Sequence, residues 1–440
     1  MENIERDIIN KLLEWKKRHN RKPLIIRGAR QIGKSWAVEE FGKRHYEHLA
    51  VFNFDRQREL PEIFRKTKDP ARIIQELAYF TKSPLLPEKT LLFFDEIQEC
   101  REALNSLKYF CEEAPGYHII AAGSLLGVAI NGGGYSFPVG KVSFMQMYPV
   151  SFKEFLRTAD HQLYENLVSF AGGLEPLPAI VFDRVEEYYH AYQVCGGLPL
   201  SARSMIGGEG LETIERVLEE NLIAYEIDFS KHVLKTDIPK IHAIWKSTPE
   251  QLSRENKKFV YHVIREGARA REYEGALQWL ADAGMIYQVK LCEKPELPLS
   301  FYENSSAFKV YLIDIGLLRK LAKLPPEIFM GASHLFTEFK GALAENFVLS
   351  SILAQGFDIP NYWTLQGNKA EVDFLIANKI SVVPIEVKSD RRISGKSFAE
   401  YDKKYQPDLR IRLSMKNIKK DGNLLNLPIF MADWINKYLK

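Results

Sequence analysis

"LIIRGARQIGKSWAVEEFG" (residues 24–42) decides the reading of the first third of this chain. Gly28 to Ser35 is a full match to G-x-x-x-x-G-K-[ST]. The flanks supply the context that this spacing needs. "PLIIR" is a short β-branched run, read as a buried strand. "SWAVEEFGKR" places Trp36, Val38 and Phe41 as the apolar positions of a helix. Strand, glycine loop, helix is the order in which a backbone curls around phosphate oxygens. Gly28 and Gly33 free the turn. The main chain of Gly28, Ala29, Arg30, Gln31, Ile32, Gly33, Lys34, Ser35 and Trp36 then turns its N–H groups inward, and the helix N-terminus adds its positive dipole. Lys34 is expected to reach the β- and γ-phosphates of ATP, and Ser35 to take Mg2+.

A second motif stands downstream. "KTLLFFDEIQEC" (89–100) is an apolar strand, Leu91 to Phe94, running into Asp95 and Glu96. Asp95 is placed to hold the metal's water shell beside Ser35, and Glu96 to polarise the attacking water. The bland alternative is an acidic pair capping the next helix. "YHIIAAGS" (117–124) ends in Ser124, either a γ-phosphate sensor or an ST-type turn before the glycine-rich 127–136. Asn53, near the end of "LAVFNFDR", either restrains Glu96 or makes ordinary turn chemistry. Strands at 23–27, 49–54, 90–94 and 118–122 with helical segments between them read as a parallel α/β sheet. Ligands bind such sheets at the carboxyl ends of strands, where each of these motifs lies.

The bulk composition bounds the rest. A chain of 440 residues suggests two to four domains. With 46% hydrophobic and 27% charged residues, it excludes global disorder. A net charge of +3 argues for no partner by itself. Cys100, Cys111, Cys195 and Cys292 form no CxxC pair, so neither a zinc site nor a disulfide framework is expected. The charged N-terminus lacks the apolar core of a signal peptide, and the longest apolar stretch, 118–130, is too short to span a bilayer. The expectation is a cytoplasmic protein without a membrane partner.

Residues 150–235 read mainly as helices, a lid or hinge. Beyond them come helical segments, the strand "AGMIYQVKL" (283–291) and an extended stretch around Leu299–Tyr302, an order that resembles a winged helix. Such a segment either binds DNA or packs. Its candidate recognition helix, "AREYEGALQWLADAG" (270–284), carries Glu272, Glu274 and Asp282, which disfavours phosphate contact. The preceding stretch is more basic, with Arg254, Lys257, Lys258, Arg265, Arg269 and Arg271.

A second cluster of chemical residues lies further on. Residues 334–356 read as an amphipathic helix bearing Glu345. Residues 361–379 read as two strands around the turn "QGNK", with Asp373 in the second. "ISVVPIEVKS" (380–389) reads as a third strand with Glu386 and Lys388 at i and i+2, on one face. Helix-Glu, strand, strand-Asp, strand-Glu-x-Lys resembles the PD-(D/E)xK nuclease core. The resemblance implies a metal held by the carboxylates and a water prepared by metal and lysine. The alternative is a retained scaffold with a buried structural ion pair. The Lys- and Arg-rich 389–423, interspersed with Phe398, Tyr401 and Tyr405, is either a nucleic-acid surface or a solvated face.

Taken in order, "RGARQIGKS", "LLFFDEIQ", "IIAAGS", "YPVSFKEFL" (148–156), "CGGLP" (195–199), "KVYLIDIGLL" (309–318), "GALAENFV" (341–348), "AEVDFLI" (370–376) and "PIEVKS" (384–389) resemble the prokaryotic predicted AAA+ ATPases with a C-terminal DUF4143 module. The resemblance covers nearly the whole chain. It implies an α/β multidomain protein: a P-loop parallel-sheet ATPase core (1–157), a helical lid (158–235), a winged-helix-like segment (236–325) and a restriction-endonuclease-like α/β module (326–440). One departure stands out. Members of this group carry an arginine in a "GR" before the "PLSF" string, where this chain has Lys141. Lysine is a point charge without the guanidinium fork. The functional expectation is ATP hydrolysis coupled to a nuclease-like module, with DNA or another nucleic acid as a partner. The rival is a nucleotide-gated scaffold for a protein partner. A homo-oligomer is open in either case, because AAA+ chemistry often borrows an arginine from a neighbouring copy.

Overall fold

The computed structural model describes every residue except 1, 2, 125, 132–136, 231, 232, 234, 255, 256, 331–336, 366, 368, 369, 390–395 and 440. The expected "QGNK" turn and parts of the glycine-rich and basic stretches therefore lie outside the described residues. The chain divides into two compact units. The first is Arg6–Tyr148 with Asp282–Gly284; the second is Met1–Glu5, Pro149–Ala281 and Met285–Lys440.

Five strands build the first unit: β1 (Leu24–Arg27), β2 (His48–Asn53), β3 (Thr90–Asp95), β4 (His118–Ala122) and β5 (Ser143–Gln146). They lie in the order β2-β3-β4-β1-β5, and every pairing is parallel. The first four match the strands expected from the sequence; β5 was not anticipated. Strands β3 and β4 are buried along their whole length. Parallel strands covered on both faces read as unbroken apolar runs, which is why "LLFF" and "HIIAA" show no alternation. On one face, Phe94 meets Phe52, Phe54 and Phe64, and Phe54 meets Phe64, with ring centroids 5.6 to 5.9 Å apart. By the two-residue period, Leu91 and Phe93 point the other way. The helix Lys34–His45, with Ala37, Val38 and Phe41 buried, packs along β2, β3 and β4. Burial of Val38 and of Phe41 is worth about 1.5–3 kcal/mol each, which anchors the helix end of the loop that follows β1.

The second unit carries the expected helices over 150–235: Phe152–Ala159, His161–Phe170, Ala179–Cys195, Pro199–Ile206 and Leu211–Asp228. Its sheet has eight strands: β6 (Ile286–Cys292), β7 (Glu303–Leu312), β8 (Asn361–Thr364), β9 (Glu371–Asn378), β10 (Ser381–Val387), β11 (Arg410–Ser414), β12 (Lys419–Asp421) and β13 (Leu424–Pro428). Their order is β12-β13-β11-β10-β9-β8-β6-β7, so the β6–β7 hairpin belongs to the same sheet as the C-terminal strands. The boundary expected at 325/326 falls inside this unit.

Two local expectations are corrected. Leu299–Tyr302 is a 3-10 turn and not extended; the strand begins at Glu303. Pro295 and Pro298 supply no ladder N–H, which delays pairing. The helix bearing Glu345, Thr337–Ala354, is not amphipathic: Ala342 to Leu349 are all buried. A helix apolar all round is an interior helix. No helix among the described residues is long and apolar enough to cross a membrane.

Candidate nucleotide site

The phosphate loop is shaped by its glycines. Gly28, at φ +147°, approaches β5 so closely that a Cβ there would lie 2.4 Å from the Met147 carbonyl oxygen. Gly33 enters the helix in the left-handed conformation at φ +89°. Arg6 braces the loop from outside: its guanidinium donates to the carbonyls of Ile32 at 3.0 Å and Tyr148 at 2.7 Å. Lys34 begins the helix and is buried, its ammonium donating to the carbonyls of Gly28 at 3.0 Å and Ala29 at 2.6 Å. Burial lowers its pKa to about 8, against the pull of Glu96 and Asp95. A buried ammonium among neutral carbonyls, in a loop whose Cβ space is closed, fits an anionic phosphate chain. Ile32 and Ala29 are buried, Arg30 and Trp36 are half-buried, and Gln31 is exposed.

The strand ends bring the polar groups together. Ser35 Oγ donates to both carboxylate oxygens of Asp95, at 3.0 and 3.1 Å. A hydroxyl beside a carboxylate is an oxygen donor set that fits Mg2+. Burial raises the Asp95 pKa, while the bonds from Ser35 and Asn53 oppose the rise. The Asn53 amide donates to Asp95 Oδ2 at 2.9 Å, and its Oδ1 accepts from the Arg56 N–H at 2.9 Å, so of its two readings the turn role holds and the restraint of Glu96 does not. Strand β2 pairs with β3 so that Asn53 lies opposite Asp95, one residue short of Glu96. Glu96 instead accepts from Ser124 Oγ at 3.2 and 3.4 Å and from Gln98 Nε2 at 2.6 Å. The sequence reading gave no role to Arg6 or Gln98. Gln98 sits in the quoted motif, two residues past Glu96, whereas Arg6 carries no local signal.

Lys141 stands at the other end of the sheet. It precedes β5, whose first residue, Ser143, pairs with Leu24 at the start of β1, while the phosphate loop follows the end of β1. Its ammonium pairs with Glu112 at 2.7 Å. Lys141 thus lies at the opposite end of the strands from its own chain's phosphate loop.

In the second unit, Glu345 is ion-paired to Lys257, accepts from the Tyr311 hydroxyl at 2.8 Å and lies 3.9 Å from the Lys309 ammonium. Burial alone would raise its pKa, but the two ammonium groups hold it at about 2. Lys309 also pairs with Glu371. Asp373 accepts from the Val387 N–H at 2.7 Å; burial, then Glu345, push its pKa to about 7. Glu386 lies between Arg412 Nε at 2.7 Å and Lys388 Nζ at 3.4 Å. Three of these carboxylates, Glu345, Glu371 and Glu386, are thus ion-paired, while Asp373 is held by a backbone N–H. Among the described residues, no three His, Cys, Asp or Glu side chains group to hold a metal. This arrangement does not fit the divalent metal that the nuclease resemblance implies.

Residues 20–156 match the family model described as an AAA domain. Residues 186–328 match a domain of unknown function, DUF8612, and residues 340–430 match another, DUF4143. A comparison with curated proteins found no match. Among solved structures, a Walker-type ATPase of Pyrococcus abyssi is similar at 16% identity and a TM-score of 0.45, over 72% of this chain and 96% of that one. The ORC2 protein of Aeropyrum pernix is similar at 13% identity and a TM-score of 0.33, over 76% and 90%. RuvB of Thermotoga maritima, a Holliday junction branch migration motor, is similar at 13% identity and a TM-score of 0.27, over 65% and 90%. The parallel sheet with its phosphate loop thus carries the family match, and the chain joins an AAA domain at residues 20–156 to a C-terminal DUF4143 domain at residues 340–430.

Proposed function

We propose that this chain is a magnesium-dependent ATPase of AAA type. The observation that carries the reading is the Lys34 ammonium, buried on the carbonyls of Gly28 and Ala29. Main-chain N–H groups from Gly28 to Trp36 and Lys34 bind the phosphates. Ser35 and Asp95 hold Mg2+, which when bound supplies charge neutralisation at the phosphate oxygens. Glu96 polarises the attacking water, and Ser124, bonded to Glu96, reports on the γ-phosphate.

The finer proposal is that the nucleotide state controls the second unit, and through it a nucleic acid. Its support is the helix-strand-strand order bearing Glu345, Asp373, Glu386 and Lys388, and the exposed Lys419 and Lys420 on edge strand β12. Because cations already occupy the carboxylates of Glu345, Glu371 and Glu386, the proposed role is binding without cleavage. A protein-interaction scaffold is favoured by a different observation: Ile223 and Ile227, one turn apart on the helix Leu211–Asp228, are 51% and 60% exposed.

One experiment tests both levels. Phosphate release from ATP is measured for the wild type and Lys34→Ala, with and without single- and double-stranded DNA. The substitution is expected to cost at least about a hundredfold, as loss of a preorganised charge at a phosphoryl centre does. Equal rates would end the ATPase reading. Stimulation by DNA supports nucleic-acid coupling, and its absence favours the scaffold.

A further inference from the structure

We infer that Gln98 is a positioning residue for hydrolysis, acting through Glu96, and that Gly123 is its seat. The inference rests on the ATPase reading above. Glu96 follows β3 in the left-handed conformation at φ +51°, which fixes the direction in which its side chain leaves the strand. Ile97–Glu99 is a single 3-10 turn, and it brings the Gln98 amide back onto Glu96 Oε2 at 2.6 Å. Ser124, just past β4, bonds the same carboxylate. Two elements therefore fix one side chain. A carboxylate has about four lone-pair sites, so two donors leave it able to accept a proton from water.

The other end of the amide shows why the arrangement is specific. Gln98 Oε1 is buried and has no hydrogen-bond partner. Natural folds seldom leave a buried acceptor unpaired, and such groups call for a functional explanation. A Cβ built on Gly123 would lie 2.1 Å from that oxygen and 3.2 Å from Gln98 Cδ. The amide fills the space a side chain at 123 would take. The next neighbour, Leu126 Cβ, is at an ordinary 3.6 Å, and Gly123 is not in the left-handed region. An alanine at 123 therefore meets Gln98 and no backbone wall. The methyl displaces the amide without deleting it.

This gives a test on the full chain with two independent routes to the same defect. kcat and KM for ATP are measured for the wild type, Gln98→Ala, Gly123→Ala and the double variant, with Lys34→Ala as the inactive reference. A hydrogen bond to a charged group, lost in the transition state, lowers kcat about tenfold or more. Gln98→Ala and Gly123→Ala are each expected to show that fall, with KM for ATP within about twofold of wild type, because neither residue touches the phosphates. The double variant is expected to be no slower than Gln98→Ala, since the methyl at 123 then has nothing to displace. Wild-type kcat in Gln98→Ala, a raised kcat, or multiplying effects in the double variant overturns the inference while leaving the ATPase standing. A wild type no faster than Lys34→Ala removes the ATPase itself, and the inference with it.

Discussion

Lys34 carries a cost in the nucleotide-free fold that a phosphate relieves. Burial lowers its pKa to about 8, below the ordinary value of 10.5. The folded chain thus binds this proton less tightly than the unfolded one, so the penalty is present below about 8 and fades as pH rises from there to 10.5. A phosphate beside the ammonium raises the pKa again, so nucleotide binding takes up a proton. The uptake is about a tenth of a proton at pH 7 and approaches one near pH 9. Calorimetric titration in buffers of different ionisation heat reads this number directly. Lys34→Arg, whose charge does not titrate, is expected to take up none. Equal uptake by the wild type at pH 7 and 9 would contradict the buried ammonium. At this scale the sequence was legible where chemistry is local: the loop glycines, Lys34, Ser35 and Asp95 fall within two short motifs. The turn role of Asn53 was legible, and its Oδ1 accepts from the Arg56 N–H at 2.9 Å, but its carboxylate partner was not, because that depends on the register between β2 and β3. Arg6 was silent because it acts on carbonyls distant along the chain.

Among the elements, the helix Phe152–Ala159 shows what a family-specific string encodes. Ser151 and Glu154 form a reciprocal capping box. Phe152 and Phe155 pack on Tyr192 at 5.7 and 5.5 Å, and Phe152 on Phe347 at 6.2 Å. The first turn is tied to the chain's last segment, Ile429–Tyr438, because the Lys153 N–H donates to Asp433 Oδ2 at 2.8 Å. Burial raises the Asp433 pKa from 3.8 to about 6. The folded state therefore holds this proton more tightly, and the resulting stability is present below about 4 and lost as pH rises through 6. Asp433→Asn keeps an acceptor for Lys153 and removes the charge. At roughly 1.4 kcal/mol per pKa unit, the variant is expected to be about 3 kcal/mol more stable at pH 7, shrinking to about 0.5 kcal/mol at pH 4. Urea denaturation at the two pH values checks this, and a less stable variant at pH 7 would show that the charge itself is needed. The capping box was readable as "SFKE", but its tether to residue 433 was not. The same limit explains the helix Thr337–Ala354: an apolar run of helical length marks its existence, while the elements that bury it come from elsewhere in the chain.

For the whole molecule, each unit has its own sheet, and the two sheets are charged in opposite logic. The first unit buries a cation among neutral carbonyls beside an oxygen donor pair. The second sets Lys257, Lys309, Lys388 and Arg412 against Glu345, Glu371, Asp373 and Glu386. The sequence brought out Glu345, Asp373, Glu386 and Lys388, though not Glu371, because they cluster along the chain. It did not pair them with Lys257, read there as part of a basic stretch, or with Lys309 and Arg412, which arrive from other segments and alter what the carboxylates can bind. A divalent ion in the second unit would have to compete with the cations paired to Glu345, Glu371 and Glu386. In the first unit it has a place beside Ser35 and Asp95. Calorimetric unfolding of the full chain is therefore expected to show two transitions. A non-hydrolysable ATP analogue with Mg2+, at about a hundred times its Kd, raises one of them by about 2.7 kcal/mol, and Lys34→Ala removes the shift. Millimolar Mg2+ alone raises neither transition. If Mg2+ alone stabilises a transition that the nucleotide leaves unmoved, the second unit holds a metal despite its ion pairs, and the proposed binding without cleavage would give way to a metal-dependent chemistry at Asp373 and Glu386.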